Sequence, residues 1–121
     1  MDEESGAVLS GALVDCLVKD GFSIPMDYKT RGFDVKEGVE SFYQNQMNCY
    51  SFLLEKNGMR QPNYAWLVYW IPKEISAGGM VRFEIVTKKV MTDADGALRA
   101  FRAAVALLNG PMPQSHSACS F

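Results

Sequence analysis

Apolar residues recur along this chain in two rhythms, and the change from one to the other outlines its elements. Leu9 to Val18 is nearly continuous apolar sequence, the pattern of a strand buried on both faces. Lys19-Asp20-Gly21 is a turn signal, and Phe22 to Thr30 reads as a second strand. Asp34-Val35-Lys36-Glu37 has the form of a capping box, with Gly38 delaying or kinking the helix it starts. From Val39 to Lys56 the spacing turns helical: Val39, Phe42, Gln46, Cys49 and Leu53 recur at steps of three and four, flanked by Tyr43, Met47, Tyr50 and Leu54. Glu40, Gln44, Asn48 and Glu55 fall largely opposite, and Asn57-Gly58 supplies C-cap chemistry.

Tyr64 to Ile71 is aromatic and branched, a third strand that Pro72 closes. Met80 to Val90 predicts a fourth, with Val81, Phe83 and Ile85 inward, able to pair with the third as a hairpin. Thr92 or Asp93 caps a last helix through Leu108, whose buried side is Leu98, Phe101, Val105 and Leu108, and Asn109-Gly110-Pro111 stops it. Residues 1–8 read as a frayed start and residues 112–121 as an irregular tail. The order β-β-α-β-β-α predicts one domain over residues 1–121, an α/β (α+β) layer fold with helices against a mixed sheet.

With 121 residues, 48% of them apolar, the chain can bury one modest core. No uncharged apolar run approaches the roughly 18 residues of a membrane span. Asp2, Glu3 and Glu4 stand where a signal peptide has basic residues, so a cytoplasmic protein is expected. Cys16, Cys49 and Cys119 are odd in number and widely spaced, which excludes a closed disulfide framework and points to reduced thiols. His116 and Cys119 are too few ligands for structural zinc. The net charge of −2 does not advertise nucleic-acid binding, yet nine of the fourteen acids precede residue 41 and eight of the twelve bases lie in residues 56–102. An acidic pole that holds cations beside a basic pole that meets phosphates suits a metal-dependent nuclease, and equally a bland surface.

The residues with chemistry cluster around Asp27-Tyr28-Lys29-Thr30. In a strand Asp27 and Lys29 share a face while Tyr28 points to the other. Asp15 is an acid inside an apolar run, where a charge must be paired or bound to a metal. Turn length decides whether Asp15 joins Asp27: a two-residue Asp20-Gly21 loop puts the acids on opposite faces, and a three-residue loop makes them diagonal neighbours on one face. Asp-Gly by itself favours the shorter loop; a shared cation site requires the longer one or a bulge. Gln46 is a polar residue in an apolar stripe and needs a partner, and Tyr50 is its neighbour one turn on.

Gly11-Ala12-Leu13-Val14-Asp15, then Asp27-Tyr28-Lys29-Thr30, then Gln46-x-x-x-Tyr50 resemble, in order and element, the signature of the RecB-type branch of the PD-(D/E)XK nuclease superfamily, which also holds the CRISPR-associated adaptation nucleases. The resemblance runs from about Leu9 to Leu54. It implies a restriction-endonuclease-like mixed sheet flanked by helices and metal-dependent phosphodiester hydrolysis of DNA, single-stranded or at duplex ends. Asp15, Asp27, Lys29, Gln46 and Tyr50 would be the catalytic residues, with Mg²⁺ or Mn²⁺ held by Asp15, Asp27 and the Tyr28 backbone carbonyl. Oxygen ligands suit such hard cations, which activate water and stabilise phosphoryl charge. Against the family pattern the chain is expected to be cut at both ends, lacking an upstream ligand helix. A family iron–sulfur cluster needs about four thiolates, so none is expected with three cysteines. The alternatives are a catalytically idle module of the same fold that binds nucleic-acid ends or a protein partner, and an unrelated α+β domain. No membrane partner is expected, and exposed apolar positions make a homodimer a candidate assembly.

Overall fold

The computed structural model describes residues 1–119; the last two residues of the expected irregular tail lie outside them. The elements run β1 (Asp15–Lys19), β2 (Phe22–Thr30), a 3₁₀ turn (Val39–Tyr43), α1 (Gln44–Lys56), β3 (Tyr64–Ile75), β4 (Val81–Met91) and α2 (Ala94–Asn109). The fold is α+β, a four-stranded mixed sheet in the order β1-β2-β3-β4 with two helices. β1 and β2 form an antiparallel hairpin, β2 and β3 run parallel across the α1 crossover, and β3 and β4 are antiparallel. Among the described residues no helix is long and apolar enough to cross a membrane.

The core lies between the sheet and α1: Ala65, Leu67, Tyr69 and Ile71 of β3 and Val90 of β4 pack with Met47 and Val39. α2 packs on α1. Asn48, expected on the outer side of the helix, is therefore 7% exposed, and its Oδ1 accepts hydrogen bonds from Gln44 Nε2 and the Asp93 amide. Asp93 in turn caps α2 by accepting from the Gly96 amide at 2.9 Å. The 3₁₀ turn begins after Gly38, whose φ of 79° breaks the helical path that the capping box would have started four residues earlier. At the chain start, Asp2 accepts from Ser5 and from Arg102 of α2.

Several expectations are corrected by which surfaces acquire neighbours, among them Leu108, expected on the buried side of α2 but 83% exposed. The first strand is Asp15–Lys19 rather than Leu9–Val18, and it is not buried on both faces: it is an edge strand, with Leu17 and Val18 exposed. β3 runs through Pro72 to Ile75, because β2 ends at the Thr30–Trp70 pair and a proline is tolerated where a strand has lost one neighbour. Val81, Phe83 and Ile85 face outward at 43%, 41% and 52% exposure; Val86 and Val90 are the core-side residues of β4. Alternation correctly gives two faces to β4, but α1 covers the one carrying the even-numbered residues.

Candidate functional site

The β1–β2 turn fixes the relation between the two acids. Lys19 pairs with Phe22, so Asp20 and Gly21 alone make the loop, and both have positive φ, 52° and 78°. This is the left-handed two-residue turn that Asp-Gly favours because its twist matches the strands it joins. Asp15 then stands opposite Met26, not diagonal to Asp27 on a common face. The three-residue loop that a shared Asp15–Asp27 cation site needs is not formed, and the two carboxylates lie on opposite faces of the sheet. On its own face Asp15 accepts from the Tyr28 hydroxyl and from the Cys16 amide, each at 2.8 Å. Those bonds, the phenol first, hold the Asp15 carboxyl below its ordinary value, and the same contact pushes the Tyr28 phenol up.

The other four expected residues do come together, on the side of the sheet that α1 covers. Asp27 is 2% exposed, and its Oδ2 meets Lys29 Nζ at 2.5 Å. The contact is an ion pair without hydrogen-bond alignment, for Oδ2 has no hydrogen-bond partner. Lys29 Nζ also donates to Gln46 Oε1 at 3.2 Å, and Gln46 Nε2 donates to the Tyr50 hydroxyl oxygen at 2.9 Å. The orientation of the Gln46 amide follows from its neighbours, since an ammonium can only donate and must face the carbonyl oxygen. Gln46 thus finds the partners its place in an apolar stripe demanded. The helix brings them because Gln46 and Tyr50 lie one turn apart on the face above β2.

Three further residues belong to this cluster. Lys29 Nζ lies 4.4 Å from the centroid of the Tyr43 ring, a cation–π contact that holds the ammonium from a third side. Tyr43 precedes Gln46 by three and Tyr50 by seven, so helical spacing alone could have grouped it with them. Tyr69 pairs in register with Lys29 across the parallel ladder, and its ring is 6.5 Å from that of Tyr43. Its hydroxyl is buried without a partner, as is Glu40 Oε2. Burial pushes the Tyr69 phenol up, and Tyr43 and Glu40 reinforce this against the opposing charge of Arg31. The alignment of Tyr69 with Lys29 depends on strand pairing and had no signal in the sequence.

Oxygen donors for a divalent ion are incomplete here. On the α1 side Asp27 offers one carboxylate, and the Tyr28 carbonyl lies in the ladder beside Val68. Among the described residues no group of three or more His, Cys, Asp or Glu side chains is placed to hold a metal ion. With Asp15 on the opposite face, the pair of carboxylates expected for Mg²⁺ or Mn²⁺ is not assembled, and Asp27 is the one of the two on this side. Four of the eight basic residues in residues 56–102 are ion-paired, while Lys56, Arg60, Lys88 and Lys89 have no ion pair among the described residues. Arg82 pairs with Glu74, Arg99 with Asp93, Arg102 with Asp2, and Lys73 with Asp34 and Glu84. Tyr50 also borders a pocket of about 210 Å³ lined by Leu13, Leu53, Leu54 and Met59. No family model, curated protein or solved structure matches the chain, so its own residues carry the functional reading.

Proposed function

We propose that this chain is the core of a PD-(D/E)XK-type nuclease that acts on the phosphodiester backbone of DNA, with Lys29 as the phosphate-facing charge. One observation carries the reading. Asp27 and Lys29 on a strand and Gln46 and Tyr50 on a helix, separated by 17 residues between Lys29 and Gln46, are joined in one unbroken polar chain. Independent solvation of such residues would not produce that convergence. The reading is also supported by the order of the motifs, Asp-x-Lys on a strand of a mixed sheet and Gln-x-x-x-Tyr on the helix that follows it, which resembles the order in that nuclease superfamily.

The roles follow from the hydrogen bonds. Asp27, Gln46 and the Tyr43 ring fix the Lys29 ammonium, whose side chain remains 21% exposed. A positioned cation stabilises charge as it develops on a phosphoryl oxygen. The Tyr50 oxygen accepts from Gln46, which leaves its own proton free to donate to a phosphate oxygen or a water. Bound Mg²⁺ or Mn²⁺ supplies an activated water and Lewis acidity in enzymes of this chemistry. Asp15 and Asp27, the two carboxylates expected to hold it, stand on opposite faces of the sheet.

That mismatch favours a specific second reading, a nuclease-fold module that binds DNA without cutting it. End-labelled single-stranded and duplex DNA, incubated with the chain and Mn²⁺ or Mg²⁺, separates the two. Cleavage that disappears in Lys29→Ala, at a temperature where circular dichroism shows the variant folded, supports the nuclease; binding lost in the folded variant with no cleavage in either metal supports the module. DNA neither bound nor cut removes both readings.

A further inference from the structure

Among the described residues neither helix packs on the face of the sheet turned away from α1. Ile24 and Val68 are buried there beneath their neighbours but the larger side chains around them stand open, and we infer that a second copy of this chain covers this face, face to face, about a two-fold axis parallel to the strands. The inference does not rest on the nuclease reading. Leu17, Tyr28, Trp70, Phe83, Ile85 and Met91 stand open on this face at 37% to 64% exposure. Taking ordinary side-chain areas, they expose roughly 600 Å² of apolar surface per copy. That lies at the upper end for a monomer, and polar neighbours bring it toward the ~800 Å² each partner contributes to a standard interface. Aromatic, aliphatic and Met side chains with few charges are the composition of an interface core.

Registers across the sheet identify the occupant as another copy. Asp15 pairs with Met26, Met26 with Trp66, and Trp66 with Lys89, so one straight row crosses all four strands from an acid on β1 to a base on β4. A two-fold parallel to the strands, passing above the gap between β2 and β3, lays β1 of one copy over β4 of the other. Asp15 then meets Lys89 of the second copy at both ends of the row, and Met26 meets Trp66 in the middle. Toward the hairpin turn, Leu17 pairs with Ile24 and Tyr64 pairs with Met91. The same operation sets Leu17 over Met91, apolar on apolar. Stacked sheets sit about 10 Å apart with their strands nearly aligned, a distance that a lysine and an aspartate bridge together. Asp15 keeps lone pairs free beyond its bonds to Tyr28 and Cys16. The apolar centre supplies affinity, and the charged ends select this orientation over its alternatives.

Sedimentation velocity on the full chain tests the proposal. The expected mass is twice 13.5 kDa. Met91→Glu should weaken the dimer at least about tenfold. Met91 is 64% exposed, which leaves the fold independent of it, and circular dichroism verifies that. Asp15→Lys and Lys89→Asp should each weaken the dimer, while the double reversal restores it, an outcome only this pairing of strands produces. A single-chain mass at concentrations up to about 100 μM overturns the proposal, as that excludes any interface of useful strength. So does a dimer indifferent to the charge reversals. A monomer whose tryptophan fluorescence, from Trp66 and Trp70 on this face, is quenched by single-stranded DNA would overturn it too, and would assign the face to stacked bases instead.

Discussion

The two faces of the sheet treat an aspartate in opposite ways. Asp27, 2% exposed beneath α1, depends on one ammonium that is itself fixed by an amide and an aromatic ring. Asp15, one row away on the open face, is solvent-accessible and held by a phenol and an amide. Both belong to one hairpin, and a single residue of register separates a buried, charge-coupled carboxylate from an exposed one. Burial sets how much each can matter: removing the partner of a buried charge leaves that charge uncompensated, whereas water replaces a partner lost at the surface.

Lys29→Ala sets the largest effect. It should destabilise the fold by about 3 kcal/mol, because among the described residues Asp27 keeps no other charged partner. The joint replacement Asp27→Asn with Lys29→Met should recover most of that loss. Urea unfolding of the two variants measures both, and a cost below ~1 kcal/mol for Lys29→Ala would mean that Asp27 is not charge-dependent.

Next comes Gln46→Leu, which leaves the ammonium without its acceptor and the Tyr50 oxygen without its donor. About 1–2 kcal/mol should be lost. Under the proposed function, Tyr50→Phe should weaken DNA binding severalfold, roughly the worth of one hydrogen bond, and cost less stability than Gln46→Leu because only the Gln46 Nε2 donor loses its partner. Titration of labelled DNA against a chemical denaturation control separates these outcomes.

Tyr69→Phe should be neutral or stabilising by up to about 1 kcal/mol, as it deletes a buried hydroxyl that has no partner. A clear loss of stability would instead reveal that the hydroxyl is bonded to a water or a ligand in solution.

The smallest effect belongs to the open face. The Asp15 carboxyl is lowered from 3.8 by Tyr28 and the Cys16 amide, so what it contributes is present in full above the unfolded value. That contribution is lost as pH falls from near 3.8 through the lower folded value. Asp15→Asn should therefore flatten the acid side of the stability curve slightly and leave neutral pH almost unchanged. Acid titration followed by circular dichroism reads it, and a steep loss at neutral pH would contradict the contrast between the faces.

Local chemistry in the sequence determined much of this protein. Phe22 to Thr30 is a strand with Asp27 and Lys29 on one side, Gln46 and Tyr50 share a helix face, Asp93 caps the last helix, and Asp-Gly makes a two-residue turn. These follow from side-chain periodicity, capping and backbone preference within a few neighbouring residues. Tertiary structure alone decided which face of each strand is covered, so that Phe83 and Ile85 stand in the open and Asn48 is buried against α2. It also aligned Tyr69 with Lys29 through a parallel pairing between distant segments, and it set Asp15 in one row with Lys89. Periodicity assigns two faces to an element but carries no record of what packs on either, and register across a sheet is fixed only when separate segments meet.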